Sequence, residues 1–141
     1  MRPFTRLTIP GPLRERVIAH ARAASPNECC GLLAGFIAEG VGRATEQLPI
    51  VNDLACPTRY QTNAYDLFAA FRRLRDHNLE LLAVYHSHPA SAPVPSRRDV
   101  MENTYGETVV HLIVGLAGAE PEVRGWWITE SGFRKAELRA S

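Results

Sequence analysis

Residues 79–99 read LELLAVYHSHPASAPVPSRRD. Leu79–His88 is an apolar run that closes on two histidines, the pattern of a central strand, and Pro89 ends it. Side chains two apart on a strand share a face, so His86 and His88 point the same way with Cβ atoms about 6.5–7 Å apart. Convergent rings can then share one metal ion through nitrogens at roughly 2.0–2.1 Å. A strand supplies one line of side chains, so a third ligand must come from elsewhere. Asp99 lies beyond the proline-rich stretch Ala90–Pro95, which is long enough to fold the chain back. Two imidazoles and one carboxylate leave a fourth position for water, and an open site of that kind lowers the water's pKa toward ~7. Ser96-x-x-Asp99 is also a capping box for a short helix, a sufficient reason for both residues without any metal.

Working outward, Thr108–Gly115 is β-branched and apolar and reads as a second buried strand. Glu122–Thr129 and Phe133–Leu138 read as two more around a Ser131-Gly132 turn. Toward the N-terminus, Cys29–Ile37 reads as a buried strand, Gly40 and Gly42 as a turn, and Ala44–Val51 as its antiparallel partner. Asn52–Thr62 is an irregular connection. Two helices are expected. One carries Pro12 in its first turn and a face of Leu13, Val17, Ala21 and Ala24, and Ser25-Pro26-Asn27 breaks it. The other is capped by Asn63, with Asp66 three residues on, and has an apolar stripe of Leu67, Phe68, Phe71 and Leu74. Phe4–Ile9 alternates weakly, as an edge strand does. Strands interleaved with two sizeable helices predict a layered α/β or α+β domain.

The 141 residues suit one domain spanning 1–141. Lys and Arg total 16 against 15 Asp and Glu, a net charge of +1, which argues against a nucleic-acid partner bound through bulk electrostatics. Apolar residues make up 45% of the chain, enough for its own core. No apolar run approaches the ~20 residues of a membrane span, and the first residues lack a signal peptide's apolar core, so the expected address is cytoplasmic. Cys29, Cys30 and Cys56 are odd in number and lack CxxC spacing, so they read as free thiols rather than disulfides. His20, His77 and His111 have no spaced partners. In Trp126-Trp127 one ring is expected inward and one outward.

Glu28 stands where a buried strand begins, out of place for an acid unless it is paired or working. As general base it would take a proton from the bound water and hand it to a leaving amine. Ser96 could donate a hydrogen bond to the oxyanion that forms on the attacked carbonyl.

Glu28, then His86-Ser87-His88-Pro89, then Ser96-x-x-Asp99 seven residues beyond the second histidine (Pro89 to Pro95) resembles the signature of the JAMM (MPN+, JAB-domain) zinc metallopeptidases. The stretch Asn27–Gly35, and the chain from Asn52 through Arg59-Tyr60 to Tyr65-Asp66-Leu67, are similar to small prokaryotic members. The resemblance implies that His86, His88 and Asp99 bind one Zn2+, that Glu28 is the general acid/base and that Ser96 stabilises the transition state. It implies a curved mixed β-sheet flanked by helices, layered as in cytidine deaminases. It also implies hydrolysis of a peptide or isopeptide bond at the C-terminal tail of a ubiquitin-like protein, such as a sulfur-carrier adduct. The thin tail could be held by adding a strand to a sheet edge. The alternatives are a non-catalytic MPN-type scaffold and a two-histidine, one-carboxylate iron oxygenase. Pairing into a homodimer through exposed helices or Trp127 is left open.

Overall fold

The computed structural model describes residues 2–141. Among them are seven strands and three helices, in the order β1 (Arg6–Thr8), α1 (Gly11–Ala24), β2 (Cys30–Ala38), β3 (Val41–Ile50), α2 (Ala64–Asp76), β4 (Glu80–His88), α3 (Arg97–Met101), β5 (Val110–Gly115), β6 (Glu122–Thr129) and β7 (Gly132–Arg139). The α/β class and the mixed sheet are as expected. The strands join in the order β1-β3-β2-β4-β5-β6-β7. β4 and β5 run parallel, and α3 lies in the connection between them. β1 runs parallel to both β3 and β7 and so closes the curved sheet into a barrel.

The closure is short: β1 pairs only with residues 41–43 of β3 and residues 137–139 of β7, so residues 44–50 of β3 pair with no strand but β2.

Two apolar clusters flank the sheet. The larger packs Leu13, Val17, Ile18 and Ala21 of α1 against Leu33, Ala83, Tyr85, Leu112 and Val114. The smaller packs Ala70 and Leu74 of α2 against Cys30, Leu32, Val84 and Val109. Strand alternation separates these sets, so β4 sends Ala83 and Tyr85 to α1 and Val84 to α2.

α2 begins as expected, with the Asn63 side chain accepting from Asp66 N–H at 2.9 Å. Its apolar stripe does not go inward as a block. Leu74 is buried and Leu67 packs at the margin, but Phe68 is 68% exposed and Phe71 38%. Ala70 takes the inward position instead, buried with Leu74 in the smaller cluster. The tryptophans also depart from expectation, since both are buried. Trp127 joins the α1 cluster, while Trp126 is covered by the loop after β4 and donates from Nε1 to Pro93 O at 2.9 Å. Gly40 makes the β2–β3 turn with Glu39, both at positive φ, whereas Gly42 lies within β3.

Candidate metal centre

β4 sets the geometry through alternation. Tyr85 and Ser87 face one way; the Ser87 hydroxyl accepts the Cys29 N–H at 2.8 Å and ties the start of β2 to β4. Val84, His86 and His88 face the other way, toward α2 and the loops. His86 Nε2 and His88 Nε2 lie 3.1 Å apart, and both rings are buried.

The proline-rich loop folds the chain back as expected. Asp99 Oδ2 comes to 3.2 Å from His86 Nε2 and 3.4 Å from His88 Nε2. The capping box is real as well: Ser96 Oγ accepts Asp99 N–H, and Asp99 Oδ2 accepts Ser96 N–H at 2.8 Å. The two readings of Ser96-x-x-Asp99 are therefore compatible, because the cap fixes the carboxylate that faces the histidines.

The donor chemistry fits a cation. His88 Nδ1 lies 2.8 Å from Ala92 O, which can only accept, so Nδ1 carries the proton and the neutral ring presents a bare lone pair at Nε2. That lone pair faces a carboxylate oxygen and another imidazole nitrogen. One ligand atom from each of His86, His88 and Asp99 lies within 4.8 Å of the others. Three electron-rich atoms at this spacing suit a divalent ion of the size that imidazole and carboxylate hold together. Burial opposes a charged His88, but Asp99 and the Ala92 carbonyl outweigh it and raise its pKa. Burial likewise opposes charge on Asp99, but hydrogen bonds to His86 and His88 hold its carboxyl well below the usual range.

Glu28 lies just before β2, buried at 6% exposure. Its backbone N–H donates to Cys56 O at 2.9 Å, and its carbonyl accepts from Asn52 Nδ2 at 3.0 Å. Burial pushes its carboxyl up to about 7, with His88 pulling down and Asp99 pushing up. Glu28 lines the same cavity as His86 and Asp99. Glu28, His86 and Asp99 thus line one cavity, His88 meets His86 and Asp99, and Ser96 is joined to Asp99 by the capping box.

Two other residues of this cavity escaped the sequence reading. His111 of β5 is buried, lines the cavity and has no hydrogen-bond partner at Nε2. Its position opposite Val84 puts it on the His86 face, a relation visible only once β4 and β5 are paired in register. Burial lowers its pKa to about 4. Tyr60 belongs to the irregular connection and stacks on the His86 ring, with centroids 4.8 Å apart and planes at 25°. An aromatic in a loop carries no periodic signal. Arg98 lines the cavity and pairs with Glu102 at 3.3 Å. The thiols of Cys29 and Cys30 are pushed up by burial, to about 11 and about 12, and behave as packing groups.

The fold is a mixed α/β barrel in which a histidine pair and a carboxylate, a set that could hold a metal ion, converge beside a buried acid. Residues 10–129 match the family described as prokaryotic homologs of the JAB domain, and the chain belongs to that family. A "CysO-cysteine peptidase" of Mycobacterium tuberculosis is 36% identical over 94 residues, covering 67% of this chain and 63% of that protein. The match therefore leaves more than a third of that relative's length unaccounted for. A "Probable TtuB-protein conjugate cleaving protease" of Thermus thermophilus is 35% identical over 114 residues, covering 79% and 72%. A solution structure of a protein from Desulfitobacterium hafniense superposes with a TM-score of 0.82 at 28% identity, covering 98% of this chain and 91% of that one.

Proposed function

We propose that this chain is a zinc-dependent peptidase or isopeptidase that cuts the bond at the C-terminal tail of a ubiquitin-like protein. The observation that carries the reading is the convergence of His86, His88 and Asp99 donor atoms beside the buried carboxyl of Glu28. The printed names of the two relatives, a peptidase and a conjugate-cleaving protease, support the substrate class.

A bound zinc ion would act as a Lewis acid and supply an activated water. The chain's own residues do the rest. Glu28, with its carboxyl near neutrality, is poised to accept a proton and return it to the departing amine. It makes no ligand contact, so its proton affinity stays available. Ser96 Oγ accepts the Asp99 N–H, which leaves its own O–H free to donate to the carbonyl oxygen of the scissile bond. Two neighbouring pockets lie between residues 58–62 and residues 102–105 and share Tyr60, Glu102 and Tyr105, which places a substrate tail against these two loops. Arg59 and Arg98 at the rim supply positive charge for a substrate carboxylate. The free thiols fit a reducing compartment, in line with a cytoplasmic address.

Protein purified without chelator should hold about one zinc per chain by elemental analysis. Incubated with a ubiquitin-like carrier bearing a C-terminal adduct, it should release the adduct, read by mass spectrometry. Equal product from wild type and Glu28→Gln would sink the catalytic role given to Glu28, and no product from wild type would leave a binding scaffold. Stoichiometric iron with no zinc would point to the oxygenase.

A further inference from the structure

His86 and His88 are held in different ways. A ligating imidazole is ordinarily fixed by donating its other ring N–H to a carbonyl, carboxylate or water, which sets both tautomer and ring angle. His88 has this arrangement, with Nδ1 against Ala92 O at 2.8 Å. His86 does not, because its Nδ1 is buried with no hydrogen-bond partner. The His88 ring lies tilted against the His86 ring at 5.0 Å and 57°, and the face of Tyr60 stacks on it nearly parallel at 4.8 Å and 25°, which restrains the ring plane.

Tyr60 is itself fixed. Asn52 Nδ2 donates to the carbonyl of Arg59 at 3.1 Å, and Asn52 Oδ1 accepts the N–H of Gln61 at 3.0 Å. The peptide groups on either side of Tyr60 are therefore clamped by one side chain. The same amide uses its other donor on Glu28 O at 3.0 Å and its other acceptor site on Leu54 N–H at 3.0 Å. All four hydrogen-bonding positions of the Asn52 amide are filled, which leaves it no alternative orientation. Asn52 and Thr62 also form an antiparallel bridge that shuts the loop's base.

We infer that Tyr60 is a positioning residue that orients His86 toward the metal in place of the missing hydrogen bond, and that Asn52 acts through it. The inference rests on the metal-centre reading above. The stack has a preferred charge state. An imidazole bound to a dication carries partial positive charge, and an aromatic face attracts it more strongly than it attracts the neutral ring. Tyr60 therefore favours the metal-loaded protein over the empty one, beyond any contribution to folding.

The test is cobalt(II) titration of the whole chain, read by visible absorption against a competing chelator, with the thermal stability of the metal-free protein measured alongside. Tyr60→Leu should weaken cobalt binding by roughly tenfold and alter the absorption band. Tyr60→Phe keeps the ring and should stay within about twofold of wild type, since the stack uses the ring face. Asn52→Ala should weaken binding in the wild-type background and have little further effect in Tyr60→Leu, because both changes act through one contact. Unchanged affinity in Tyr60→Leu would overturn the inference and leave the metal centre standing. An equal loss in Tyr60→Phe would also overturn it, by placing the effect in the hydroxyl. Effects of Asn52→Ala and Tyr60→Leu that simply multiply would overturn the part given to Asn52. Failure of wild type to bind cobalt at all would remove the metal centre and the inference together.

Discussion

Glu28 carries a cost that its neighbours do not. A carboxyl at 6% exposure lacks the water that would stabilise its charge, and burial lifts its pKa from 4.5 to about 7. The folded protein therefore binds this proton more tightly than the unfolded chain does. The resulting stabilisation is fully present below pH 4.5 and is lost as pH rises through 7. Glutamine keeps the shape and has no charge to bury. Metal-free Glu28→Gln should match wild type in urea unfolding near pH 4.5 and become the more stable protein by pH 8. A constant difference across that range would mean that the carboxyl is solvated in the folded state. This residue was legible in the sequence because an acid at the threshold of an apolar strand contradicts its surroundings. His111 and Tyr60 contradict nothing locally, since a lone histidine in a strand and a tyrosine in a loop are ordinary; only the tertiary fold gives them a neighbour at His86.

Among the elements, β4 was the most readable, because a strand's alternation assigns every side chain at once and His86 and His88 follow from that parity. α3 was readable through its capping box. α2 was misread because helical spacing says which residues share a face and leaves open how wide a face the sheet covers; here the buried strip is Ala70 and Leu74, while Phe68 stays outside. The loop between β4 and α3 behaves as an element in its own right. Ala92 O holds His88, and Pro93 O accepts from Trp126. Pro93 also lies against Gly115 of β5, where an added Cβ would stand 2.6 Å from Pro93 Cδ. A methyl group there must push the loop outward, because a proline ring cannot fold away. Gly115→Ala is thus expected to displace the Ala92 carbonyl and weaken metal binding by several-fold, on the order of the effect of losing an outer hydrogen-bond partner. Titration of the purified variant with zinc in a competitive chelator assay measures this, and wild-type affinity would show that the loop absorbs the methyl without moving the carbonyl.

At the scale of the whole molecule, closure by β1 was the least legible feature. A three-residue strand that runs parallel to both β3 and β7 pairs residues 6–8 with residues 41–43 and 137–139, and nothing local in its sequence signals such distant partners. The barrel leaves the centre dependent on two attachments: β4, locked between β2 and β5, and α3, a five-residue helix with no buried residues. So short a helix is poorly anchored by packing, and Asp99 binds it to the histidines. A metal ion shared by β4 and α3 would tie the weaker attachment to the stronger. Binding that requires the folded arrangement stabilises it by about 2.7 kcal/mol when free zinc is a hundredfold above its dissociation constant. For a chain of this size that corresponds to a rise in Tm of roughly 5–11 °C. Thermal unfolding with zinc and with EDTA should show this difference in wild type. It should vanish in Asp99→Ala, which removes the ligand from α3 and leaves both histidines in place. An undiminished zinc effect in Asp99→Ala would mean that β4 alone holds the ion, and α3 would lose its place in the centre.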